Sequence, residues 1–357
     1  MTRRADKSVF SKVDEYGFER PEDFNYEKYE EFMSFYVTIL ARRSKKWAEL
    51  LGDNKVLKRS RRLKRYIRKG IPLEHRGLVW LAVSGAQDLK NNMSDNFYDS
   101  LLKQEHNPTI TETVKLDLHR TYPDNIFFQT TDHYQNELYN ILVAYAHHNP
   151  KVGYCQGLNY IAGLLLLATK CEETTFWLLK ILVEHILEDY YSSTMEGVIV
   201  DIEVLTELIR IMVPDVYEHI TSLGLPWAVV TTKWFICLFA EVLPIETVFR
   251  IWDCLFYEGS KILFRVGITL IKHNRKQLLA CEDFTDAAEC FKNMTKDYLV
   301  LHCHDFIQSL FKIPGPLSNS TILRIRNKIY SERNILKKER EKKISKGSAS
   351  LRLTDDA

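Results

Sequence analysis

HYQNELYNILVAYAHHNP, residues 133–150, decides the fold class. Leu138, Ile141, Leu142 and Tyr145 fall at i, i+3, i+4 and i+7, which gathers the apolar side chains on one face of a helix. Asn149-Pro150 ends it, because a residue preceding proline is pushed out of the helical region. The same period recurs downstream. ETTFWLLKILVEHILEDYY (173–191) predicts a longer, more apolar, central helix, and DIEVLTELIRIM (201–212) one that stops before Pro214. KWFICLFAEV (233–242), ETVFRIWDCLFY (246–257) and the run 261–279 continue in the same style. No Asn-Gly or Asp-Gly joins alternating runs, so hairpins are not signalled. The expected fold is all-α, with many helices of ordinary length joined by short loops.

Upstream, residues 25–51 read as a helix carrying Phe32, Phe35, Leu40 and Trp47, whereas residues 1–23 are polar and expected to be loose. KRSRRLKRYIRK (58–69) holds eight basic residues in twelve. It reads either as a polybasic patch for anionic lipid or nucleic acid, or as a solvated helix whose Leu63, Tyr66 and Ile67 pack inward; the helical spacing of those three favours the second. From Pro314 onward the chain looks detached. Ile322, Ile325 and Ile329 make a thin apolar stripe before KKEREKKISK, which predicts an exposed helix fraying into a disordered tail after Gly347.

Composition narrows the function classes. The chain has 357 residues, 45% hydrophobic and 27% charged, enough apolar material for a large core. A net charge of +2 is too small for the domain-wide basic excess of a nucleic-acid binder. The seven cysteines (155, 171, 237, 254, 281, 290 and 303) include no Cys-x-x-Cys pair and point to reduced thiols and a cytoplasmic setting. The N-terminus lacks the apolar region of a signal peptide. The longest uncharged apolar run, IAGLLLLAT (161–169), falls short of the ~20 residues that span a bilayer. There is no Gly-rich phosphate loop, so the chain does not read as an NTPase or a kinase itself, and there is no G-x-S-x-G nucleophile elbow either. His302-Cys303-His304 lacks a second ligand pair at metal-like spacing, and no metal is expected. Cys155 has no neighbouring His to activate it and reads as a small buried hydrophobe.

Two short stretches carry candidate chemistry. In VKLDLHRTYPDN (114–125), Asp117 and Arg120 are spaced i, i+3 and can pair. Such a pair is usually a surface salt bridge of small worth. Pro123 stops the helix just beyond, however, and leaves Arg120 at its C-terminal end, where the dipole favours a cation and the planar guanidinium suits phosphate oxygens. In VGYCQGLNY (152–160), the carboxamide of Gln156 has the donors and acceptor to orient a water, and Gly153 and Gly157 permit close approach by another molecule. On spacing alone, a helix-capping or core amide remains the simpler reading of Gln156.

These stretches, with three others, resemble the TBC-domain family of GTPase-activating proteins for Rab GTPases. RKGIPLEHRGLVW (68–80) is similar to the family's opening motif through Gly70, Ile71, Pro72, Arg76 and Trp80. VKLDLHRTYP is similar to its I-x-x-D-x-x-R motif, with Val114 in place of Ile, and GYCQGLNYIAG to its Y-x-Q motif through Tyr154 and Gln156. IWDCLF (251–256) matches a later signature with Trp252 and Asp253, and LGLPWAVVTTKWFICLFAEVLP (223–244) is family-like. The resemblance spans about residues 65–310. It implies a V-shaped, all-helical domain of two subdomains over 65–312, a helical N-terminal extension over 1–64, and a C-terminal helix with a basic tail over 313–357. It implies that Arg120 is an arginine finger and Gln156 a glutamine finger. Asp117, Tyr154 and Gly157 would position them, while Gly70, Pro72, Arg76, Trp80, Trp252 and Asp253 would be structural. The implied partner is a GTP-bound Rab GTPase, which brings its own nucleotide and Mg²⁺, so this chain needs no cofactor. The chain would be a cytoplasmic activator rather than an enzyme, peripheral to endomembranes, with weak anionic-membrane contact through its basic segments and no nucleic-acid partner. A catalytically silent scaffold that binds a GTPase or effector is the alternative.

Overall fold

The computed structural model describes residues 12–20, 22, 24–52, 57–129 and 132–352. Among them the only β-pairing is two isolated bridges, Val13 with Glu19 and Phe18 with Asn125; the remainder is helices and turns, as the periodicity requires. The opening helix runs Asp132–His148 and buries Leu138, Ile141, Leu142 and Tyr145. It packs between the helices Pro108–Leu118, Leu158–Thr169 and Glu172–Ile181, and these form one helical half with Arg76–Ser84. A second half is built on Glu196–Met212, Trp227–Ile236, Ile245–Glu258, Lys261–His273 and Cys303–Leu310. The halves meet where Ile245–Glu258, buried along nearly its whole length, packs on Arg76–Ser84 and Arg61–Lys69.

Several expected boundaries move, each for a local reason. The 173–191 helix is α-helical only over Glu172–Ile181, then widens into a π turn over Leu182–Ile186. The chain leaves it in a tight turn, where the backbone of Glu188 and Asp189 presses on Gly197 so closely that a Cβ there would lie 2.3 Å from the Glu188 carbonyl oxygen. The helix expected over 233–242 is instead Trp227–Ile236, starting after Pro226 and ending before Leu238 and Phe239, which take left-handed backbone (φ +49° and +65°). Both are fully buried, and the Leu238 carbonyl accepts the Trp252 indole N–H at 3.0 Å, so tertiary packing overrides helix propensity there. The 261–279 run breaks at Asn274, whose side chain bonds back to the Leu270 carbonyl.

The described parts of both end segments are better anchored than composition implied, and residues 353–357 of the expected tail lie outside the described residues. Within the stretch expected to be loose, residues 12–20 form a compact turn with Tyr16 and Phe18 buried, while residues 1–11, 21 and 23 lie outside the described residues. The C-terminal helix, Asn319–Arg352, is neither detached nor ended at Gly347. Ile322, Ile325 and Ile329 are buried against Glu196–Met212, and Arg326 clamps the buried Asp201 with two bonds of 2.5 and 2.7 Å. The basic segment is the helix Arg61–Lys69, capped by Ser60, with Leu63 and Ile67 buried and Tyr66 partly so. Phe35 of the first long helix, Tyr26–Leu51, faces solvent, while Trp47 is buried and donates to the Gly70 carbonyl at 2.9 Å.

Candidate functional site

The helix Pro108–Leu118 starts at a sequence-encoded cap: Asn107 accepts the Thr109 N–H, and Pro108 sits where a missing N–H costs nothing. Val114 and Leu118 bury its inner face and leave Leu116 exposed. The helix closes at His119, so Arg120 stands one residue beyond it, in a turn held by its own N–H to the Asp117 carbonyl. From there its guanidinium reaches back to Oδ1 of the buried Asp117, Nε at 2.8 Å and Nη2 at 2.6 Å. Half of the Arg120 side chain remains exposed, and Nη1 has no hydrogen-bond partner among the described residues.

The other oxygen of Asp117 brings in the second stretch. Oδ2 accepts the Tyr154 hydroxyl at 2.5 Å. Burial, then the Asp117 bond and charge, push the Tyr154 phenol far above its ordinary range, so it is a fixed donor. One carboxylate therefore orients Arg120 and ties its loop to the loop of Gln156. Gly157 opens the following helix, Leu158–Thr169, at φ +109°, where a Cβ would lie 2.8 Å from Ile236. Its N–H bonds to Asn159 Oδ1, Asn159 Nδ2 donates to Thr121, and the Thr121 hydroxyl donates to the Asp117 carbonyl. Gln156 itself is exposed, and its carboxamide has no hydrogen-bond partner among the described residues. It is not a core amide. Burial raises the Cys155 thiol above its usual range, in keeping with a packing role rather than a nucleophile.

Asp117 thus joins Arg120 to Tyr154, and Gln156 and Gly157 follow Tyr154 on the same loop. Gly70, Arg76, Trp80 and Asp253 lie together elsewhere, in a buried knot. Asp253 Oδ1 accepts the Trp80 indole at 3.0 Å and faces Arg76 Nε at 3.4 Å; Oδ2 accepts the Ile71 N–H. Gly70 takes φ +110° with no room for a Cβ beside Arg250, and Pro72 leads into the turn Leu73–His75. Trp252 is fully buried, its ring 6.4 Å from that of Trp80. Cys303 donates to Tyr36 and His304 meets Arg43 at 3.1 Å, so both side chains are engaged in packing the helix Tyr26–Leu51 against the domain. Sequence reasoning missed Thr121 and Asn159, both buried links between the two loops. The available signal was Asn159, a lone polar residue at the start of an otherwise apolar run.

Residues 73–279 match the family model of the Rab-GTPase-TBC domain. The chain is 50% identical over 316 residues to Growth hormone-regulated TBC protein 1-A of Danio rerio, covering 88% of each chain. It is 50% identical over 324 residues to Growth hormone-regulated TBC protein 1 of Homo sapiens, covering 90% of this chain and 96% of that one. Among solved structures, the Chlamydomonas flagellar RabGAP TBC domain superposes with a TM-score of 0.73 at 32% identity, covering 84% of this chain and 99% of that one. The chain belongs to the Rab-GTPase-TBC domain family.

Proposed function

We propose that this chain accelerates GTP hydrolysis by a Rab-family GTPase in its GTP-bound form, with Arg120 and Gln156 as catalytic residues supplied in trans. The observation that carries the reading is the divided carboxylate of Asp117: one oxygen orients a half-exposed guanidinium, and the other fixes Tyr154, two residues before the unpartnered Gln156. Loose phosphoryl transfer spreads negative charge over the γ-phosphate and the leaving oxygen. A cation inserted from outside stabilises that charge, and pre-orientation by Asp117 reduces the side-chain entropy lost on insertion. In Ras-type activation the attacking water is oriented by the GTPase's own glutamine; here the Gln156 carboxamide takes that task. The domain that does this extends over 65–312. Single-turnover hydrolysis across a Rab panel, with wild-type chain and Arg120→Ala, tests it. Acceleration that disappears with Arg120 supports the reading; equal acceleration by both proteins refutes Arg120 as the catalytic cation, and binding with no acceleration by the wild-type chain supports a silent scaffold.

Weak contact with anionic membrane belongs to the same proposal. Lys64 and Arg68 are engaged by Glu258, which leaves Arg61, Arg62, Arg65 and Lys69 on the outer face of their helix. Co-sedimentation with anionic vesicles should fall steeply with salt.

A further inference from the structure

Residues 12–20 precede the family match, which begins at 73, yet they touch the loop that carries the candidate catalytic cation. Their own fold is tight. Asp14 Oδ1 accepts the N–H groups of Tyr16 and Phe18 at 2.8 and 2.9 Å, and Val13 pairs with Glu19. Gly17 takes φ +90°, and a Cβ there would lie 2.5 Å from the Phe127 ring, so the close approach requires glycine.

One end of this segment is anchored in the core. The Tyr16 ring lies 4.8 Å from Phe249, and its hydroxyl accepts from the buried Arg76 at 2.8 Å and donates to Glu246. The other end grips the residues just after Arg120. Glu19 N–H donates to the Asp124 carbonyl and Ile126 N–H to the Gly17 carbonyl, both at 2.9 Å. The fully buried Asn125 donates through Nδ2 to the Tyr16 carbonyl. The Phe18 ring meets Tyr122 edge-on at 5.4 Å. Tyr122, two residues from Arg120, sits at φ +50°, a left-handed conformation that a bulky residue keeps only when its surroundings over-determine it. Those surroundings are Phe18 on one side and Tyr160 on the other, whose carbonyl accepts the Tyr122 hydroxyl at 2.8 Å.

We propose that residues 14–19 are a strap that positions Arg120, with Gly17 and Phe18 as positioning residues acting through Tyr122 and Asn125. The proposal rests on the reading of Arg120 as the catalytic cation. Asp117 orients the guanidinium; the strap fixes the backbone from which it projects. A shift of about 1 Å in such a group can cost on the order of a hundredfold in rate, so partial loosening is expected to cost about tenfold.

The test uses full-length Phe18→Ala, Gly17→Ala and Phe18→Leu, with Arg120→Ala alongside. Single-turnover hydrolysis is followed against activator concentration with a Rab that responds to the wild-type chain, and amide hydrogen exchange is read on the same proteins. Phe18→Ala and Gly17→Ala should lower the maximal rate about tenfold and leave the half-saturating concentration within about twofold. Exchange should speed up at 121–126 and stay unchanged through 245–258. Phe18→Leu, which keeps most of the apolar volume but not the ring, should recover most of the rate. An unchanged maximal rate, unchanged exchange at 121–126, or faster exchange throughout would overturn the strap. An Arg120→Ala protein as active as wild type would instead refute the catalytic reading itself, whereas an inactive Arg120→Ala beside fully active strap variants refutes only the strap.

Discussion

The knot around Asp253 and the surface around Asp117 are both built on a buried aspartate facing arginine, yet they use it in opposite ways. At the knot, Asp253 meets Arg76 and Arg250, and the Trp80 indole and Ile71 N–H complete its shell; aspartate and arginines alike are closed off from solvent. At the surface, Asp117 is also buried, but the cation it holds is half exposed and keeps donors with no partner among the described residues. A charge closed on all sides is committed to its buried partners, and removing one of them leaves the other uncompensated. A charge held from behind and open in front is available to a partner, as the proposed function requires. The difference lies in what the arginine faces, a distinction that the spacing of charged residues alone does not contain.

The largest effect separating the two regions should come from Arg120. Arg120→Ala should lower activation by roughly 10³- to 10⁵-fold, about 4–7 kcal/mol of barrier, with the melting temperature unchanged. Arg120→Lys should recover little of it, because lysine keeps the charge without the planar fork; a fully active Lys variant in the same hydrolysis assay would show that charge alone suffices. At the knot the signature reverses. Trp80→Ala or Asp253→Ala should cost about 3–5 kcal/mol of stability, the first by opening a cavity and the second by taking the paired carboxylate from the buried Arg250 and leaving Arg76 with Glu246 alone. Denaturant titration should show the loss, and activity should fall only as the folded fraction falls. Lost activity at full stability would move that residue to the partner surface.

Smaller effects sharpen the contrast. Asp117→Ala removes an orienting partner and leaves the proposed catalytic cation, so it should cost about ten- to a hundredfold in maximal rate, less than Arg120→Ala; the reverse order in folded protein would break the division of roles. The smallest effect is a pH dependence on the packing side. Burial pushes the Glu258 carboxyl up, but the hydrogen bonds and charges of Arg68 and Lys64 outweigh it and hold it below the usual carboxylate range. A depressed carboxylate contributes stability that is present above its unfolded value of about 4.3 and lost as pH falls through the folded one. Glu258→Gln should therefore reduce stability near neutrality and flatten its decline below about pH 4, read by denaturant midpoints at several pH values.

Much of the frame was legible in the sequence because apolar period and proline position report local structure directly, as at 133–150. Where tertiary packing wins, they fail. Leu238 and Phe239 look like helix and are pulled into left-handed turns by their buried side chains and the Trp252 contact. The stripe of Ile322, Ile325 and Ile329 looked too thin to dock, but the decisive contact is Arg326 on Asp201, 125 residues away, which no local pattern reveals. At the site, the spacing of Asp117 and Arg120 foretold their pairing. The link through Tyr154, and the strap from Tyr16 and Phe18, join segments 37 and more than 100 residues apart and became visible only in three dimensions.

The central claim, that both the cation and the water-orienting amide arrive in trans, is tested most directly by one crossed measurement. Hydrolysis rates are taken for a wild-type Rab and for one whose own switch glutamine is mutated, each with wild-type chain and with Gln156→Ala. One carboxamide suffices to orient one water, so the mutated Rab should remain activated, at least in part, by the wild-type chain. Gln156→Ala should abolish most activation of both Rabs. If mutating the Rab glutamine removes all activation while Gln156→Ala has no effect on the wild-type pair, the two-residue mechanism is wrong for this protein and Gln156 serves only the start of its helix.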